Sequence, residues 1–92
     1  MSAALAALLL PACGKPLSEA ECTALLDRYT ELLVRSDREG TSATDLLKMQ
    51  EAARERARSD PDFQACSERV SRRAFECAMT AENVDRLEQC ML

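Results

Sequence analysis

An all-α fold, a small bundle of about four helices stapled by two disulfides, follows from three observations. Ala, Leu, Glu and Arg dominate a chain with only two glycines and three prolines, a helix-forming composition. Apolar residues recur at steps of three and four, the period of an amphipathic helix. Five cysteines among 92 residues are high usage and suit a domain too small to be held by its core alone. The length allows one domain.

The elements follow in order. Ser18-Glu19-Ala20-Glu21 is a capping-box pattern, so a first helix starts there. Its stripe is Cys22, Leu25, Leu26, Tyr29, Leu32 and Leu33, and Gly40 stops it. A second helix begins after Ser42 or Thr44, with Leu46, Leu47, Met49, Ala53 and Ala57 as its apolar positions. Its charged end, Arg54-Glu55-Arg56-Ala57-Arg58, reads first as a solvated face and second as a contact for anionic headgroups. Asp60-Pro61 starts a third helix, with Asp as cap and Pro at the first helical position. One stripe along it carries Phe63, Cys66, Val70, Ala74, Cys77 and Ala78, with Phe75 and Met79 beside it. Arg69, Arg72 and Arg73 form an outer basic strip, paired with Glu68 and Glu76 one turn away. Thr80 caps a short fourth helix with Val84, Leu87 and Met91 inward and Cys90 beside them.

Twelve Lys and Arg stand against sixteen Asp and Glu, a net charge of −4. That balance argues against nucleic acid as a partner, because phosphate binding needs a basic face. There is no histidine, which removes the commonest general base and the Ser-His and Cys-His pairs. Asp60 and Asp62, the nearest thing to a carboxylate pair, are better read as helix N-terminal residues favoured by the dipole. No catalytic, cofactor or metal residue, and no small-molecule substrate, is expected.

The chain opens on an apolar run from Ala3 to Leu10, too short to span a bilayer but fitting the core of an export signal. It ends on Leu10-Pro11-Ala12-Cys13, which resembles the lipobox of bacterial lipoproteins. The resemblance implies cleavage of residues 1–12 and diacylglycerol on the Cys13 sulfur. It further implies a palmitate-class acyl chain on the new amine, so membrane lipid is the first partner. Gly14, where lipoproteins retained at the inner membrane often carry Asp, implies sorting to the outer membrane, facing the periplasm. Residues 13–17 would be anchor and tether, reaching at most about 14 Å, and residues 18–92 the helical domain. The alternative is an N-terminal helix turn with Cys13 an ordinary thiol.

Setting Cys13 aside leaves Cys22, Cys66, Cys77 and Cys90. Export implies an oxidising compartment, so two disulfides are expected. On an intact third helix Cys66 and Cys77 lie about 16 Å apart, too far to pair. Two sets remain. Cys22–Cys66 with Cys77–Cys90 is preferred, because parallel first and third helices place Cys22 and Cys66 at the same end. Cys22–Cys77 with Cys66–Cys90 stays open. Gaps of 43, 10 and 12 residues supply neither a zinc pair nor a C-x-x-C motif.

These readings converge on a membrane-anchored, non-enzymatic interaction or structural module of the cell envelope. The alternatives are a secreted or periplasmic disulfide-rich regulator or inhibitor and, further off, a thiol-redox or metal-binding protein.

Overall fold

Helix α1 (Glu19–Asp37) is the spine of the molecule. The computed structural model describes residues 15–92, so the expected signal segment 1–12 and Cys13 lie outside the described residues. Among the described residues there are six helices and no strand. α1 begins as its sequence predicts: the Ser18 side chain accepts from Glu21 N–H at 3.1 Å, and Glu21 Oε1 accepts from Ser18 N–H at 2.9 Å. Leu17, just before that cap, is buried to 3%. It packs with Cys22, four positions into the helix, as a hydrophobic staple. The folded body therefore takes in Leu17, which the sequence alone assigned to the tether.

Gly40, at φ +84°, turns the chain by adopting a backbone that only glycine takes without strain. α2 (Ala43–Ala57) then runs back antiparallel along α1, capped by Ser42. Its buried residues are only Ala53 and Ala57, small enough for close approach. Leu47, an expected inward position, is 56% exposed. Polar contacts do much of the joining. Arg54 Nε donates to Asp27 Oδ1 at 2.9 Å and its Nη2 to Oδ2 at 2.5 Å. Gln50 donates to the Asp27 carbonyl at 3.2 Å. Arg54 thus leaves the solvated charge run to hold two helices together.

The expected continuous third helix does not form. It is three pieces: α3 (Pro61–Gln64), α4 (Cys66–Arg69) and α5 (Arg72–Met79). The first step, at Ala65 (φ −85°, ψ 0°), is slight. The second is a true break, because Val70 is extended at φ −92°, ψ 119°. Ser71 then caps α5, its hydroxyl accepting from Ala74 N–H at 3.0 Å. A β-branched residue followed by Ser offers the backbone this alternative to helix. The break also satisfies packing. Cys66 and Arg72 both reach the first turn of α1, which a straight helix could not do six residues apart. The expected i,i+4 pairing of Arg72 is replaced by a cross-helix pair with Glu21.

α6 (Val84–Cys90) is capped by Asn83, whose side chain accepts from Arg86 N–H at 2.8 Å. Thr80, the expected cap, instead closes α5. α5 and α6 form a hairpin on α1. The main core unites Leu25, Leu32, Ala78, Ala81 and Leu87, and a second cluster unites Leu17, Cys22 and Cys66. Val70 and Phe75 touch both. Arg28 of α1 pins the hairpin turn, donating to the Ala81 carbonyl at 2.7 Å.

Two disulfides staple this arrangement. Cys22 joins Cys66 with Cα atoms 6.2 Å apart, and Cys77 joins Cys90 at 5.7 Å. This is the set preferred from sequence, but one premise behind it falls. The helix that was to keep Cys66 from Cys77 is broken at Val70. What selects the pairing is that α4 lies on the start of α1 while α6 folds back on α5.

Candidate functional site

An apolar groove of about 960 Å³ opens between α1, the α3–α4 segment and α6. Its floor is the buried Cys22–Cys66 bridge with Leu25 and Leu87. Leu26, Phe63, Val70 and Met91 form its walls. These residues meet there because α1 presents its Cys22–Leu25–Leu26–Tyr29 stripe, α4 is tied to that stripe by sulfur, and α6 is folded over it. Apolar grooves of this size are the usual form of a binding surface.

Charge is confined to the rim. Asp62, Asp85 and Glu88 stand there with one cation, Arg69. Arg69 Nη1 lies 3.3 Å from Asp62 Oδ1. The Tyr29 hydroxyl donates to Glu88 Oε2 at 3.0 Å, tying α1 to α6 across the groove. Burial, and then the neighbouring Glu88 carboxylate, push the Tyr29 phenol above its ordinary value of 10.0.

The residues singled out by sequence fall in three places. Cys13 lies outside the described residues. Cys22 and Cys66 form the groove floor, and Cys77–Cys90 braces its α6 wall from behind. Asp60 is the cap of α3, accepting from Asp62 N–H at 2.9 Å. Among the described residues no cluster of three His, Cys, Asp or Glu side chains could hold a metal ion, and no helix is long and apolar enough to cross a membrane. Of the α2 charge run, Arg56 and Arg58 are exposed, and Arg58 pairs with Glu55 at 3.3 Å.

Sequence reading missed the groove as a site. The Tyr29–Glu88 link joins residues 59 positions apart and leaves no local signal. The available hint was an apolar stripe on α1 broader than one neighbouring helix could cover.

No protein-family model, curated protein or solved structure matches the chain.

Proposed function

We propose that this is a lipid-anchored lipoprotein of the bacterial cell envelope, non-enzymatic, whose groove receives a basic amphipathic segment of another envelope protein. The address rests on one observation: the apolar run Ala3–Leu10 closes on Leu10-Pro11-Ala12-Cys13, four residues before the buried Leu17. Cleaved and acylated at Cys13, the mature chain would carry its folded body within about 14 Å of the lipid. Two or more acyl chains suffice for stable anchoring. Gly14 after the anchor favours the outer membrane, with the body in the periplasm. Two disulfides agree with an oxidising compartment.

The partner's chemistry is argued from the groove. An apolar floor accepts the apolar face of a helix. An acidic rim, with its one Arg already facing Asp62, complements Lys and Arg flanking that face.

Two experiments test the two halves separately. Intact mass of protein from its native membrane should match residues 13–92 with acyl chains and both disulfides formed. An uncleaved, unacylated mass would remove the anchor. A photo-crosslinking residue at Leu26, in the groove, should capture a basic amphipathic peptide in the native host, and one at Leu47 should not. Capture of lipid alone at Leu26, or the same products from both sites, would remove the docking role.

A further inference from the structure

The two disulfides differ in exposure and in the residues one turn before their cysteines. Cys22 and Cys66 are 4% and 7% exposed. Cys77 is exposed and Cys90 half-buried. Open depressions of about 430 and 500 Å³ flank the Cys77–Cys90 bridge; the Cys22–Cys66 bridge also lies beneath openings, of about 960 and 420 Å³, but its two cysteines are buried. Each of these cysteines has an arginine one helical turn before it: Arg73 precedes Cys77 on α5, and Arg86 precedes Cys90 on α6. Arg86 lines one depression and Arg73 the other. A guanidinium beside a sulfur favours its departure as thiolate. One turn before the cysteines of the buried bridge stand Ser18 and Asp62, neither of them a cation.

We propose that Cys77–Cys90 is a thiol-exchange site, opened by an external dithiol reductant, and that its opening frees the α6 wall of the groove. A thiolate of the reductant attacks Cys77 Sγ, forms a mixed disulfide and expels Cys90 as thiolate, which takes a proton. The reductant's second thiol then attacks its own sulfur in that mixed disulfide and releases Cys77. Two electrons and two protons pass from the dithiol to the bridge, and the reductant leaves as a disulfide. α6 has only seven residues, too few to persist as an isolated helix. Without the bridge its ties to the body are Leu87 and Val84 in the core, the Tyr29–Glu88 hydrogen bond, and the Arg28 bond to Ala81 at the hairpin turn. Cys22–Cys66 stays closed throughout and keeps the rest of the fold.

Tyr29 is the one tyrosine, and there is no tryptophan, so tyrosinate absorbance reports this single site, whose hydroxyl donates to Glu88 of α6. The full-length protein is treated with dithiothreitol, quenched with an alkylating agent at successive times, and mapped by mass. Cys77 and Cys90 should be alkylated at least about tenfold faster than Cys22 and Cys66. In the isolated singly opened species the Tyr29 titration, followed by tyrosinate absorbance, should shift toward its ordinary pH. The Cys77→Ser/Cys90→Ser double variant should show the same shift without reductant. Arg73→Gln with Arg86→Gln should slow opening of this bridge several-fold and leave the buried one unchanged. Equal opening rates, no slowing in the arginine variants, or an unmoved Tyr29 curve in the singly opened native chain would overturn the proposal.

Discussion

Arg72 holds Glu21 through two parallel hydrogen bonds, Nη1 to Oε2 at 2.8 Å and Nη2 to Oε1 at 3.0 Å. The same carboxylate accepts from the Ser18 backbone at 2.9 Å. One side chain therefore caps α1 and anchors the start of α5, 51 residues away. Arg72, and then the Ser18 N–H, hold the Glu21 carboxyl down from 4.5 to about 2.

A pH dependence follows. The folded state binds the Glu21 proton more weakly than the unfolded chain does, so the charged form contributes stability. That contribution is complete above about pH 4.5 and is lost as pH falls toward about 2. Glu21→Gln should lower the urea midpoint at pH 7 and flatten its dependence between pH 4.5 and 2. Both side chains are about one-third exposed, so added salt should shrink the difference. An unchanged acid profile in the variant would count against the pair.

Ser71→Ala separates a broken helix from a continuous one. Where Ser71 caps α5, losing its hydroxyl should cost about 1 kcal/mol. Inside an uninterrupted helix the same change would stabilise, because Ala is the better helix former. Chemical denaturation reads the sign.

Leu87 and Leu47 are both expected core residues by sequence, yet one is 3% and the other 56% exposed. Leu87→Ala should cost about 2–5 kcal/mol. Leu47→Ala should stay within about 0.5 kcal/mol. Comparable losses at the two sites would contradict the packing of α2 and α6.

Leu17→Ala tests where the folded body begins. A residue buried against Cys22 and Cys66 should cost at least about 2 kcal/mol when truncated. Pro16→Ala, one position earlier and exposed, should be close to neutral. Thermal melts of the two variants give the comparison.

Local signals in the sequence were enough for the helix starts. Ser18 and Asp60 cap where their patterns predict, and of the two starts offered for α2 it is Ser42 that caps, because a cap is written within four residues. Thr80 and Ser71 show the limit of that reading. Both can cap, and which one does depends on whether the chain leaves the helix there. Ser71 caps because Val70 is extended, and that turn lets both Cys66 and Arg72 reach the start of α1.

The groove lay beyond such reasoning altogether. Its apolar residues were visible as separate stripes, but its shape comes from contacts between Cys22 and Cys66, Tyr29 and Glu88, and Leu25 and Leu87. Each pair is far apart in the chain. By itself the sequence determined an all-helical body, the caps at Ser18 and Asp60 and the even number of cysteines left once Cys13 is set aside. Those properties depend on composition and short spacings. The tertiary structure alone decided the break at Val70, the burial of Leu17, the exposure of Leu47 and the groove. Each depends on which long-range contacts can be made together, and no local propensity encodes that choice.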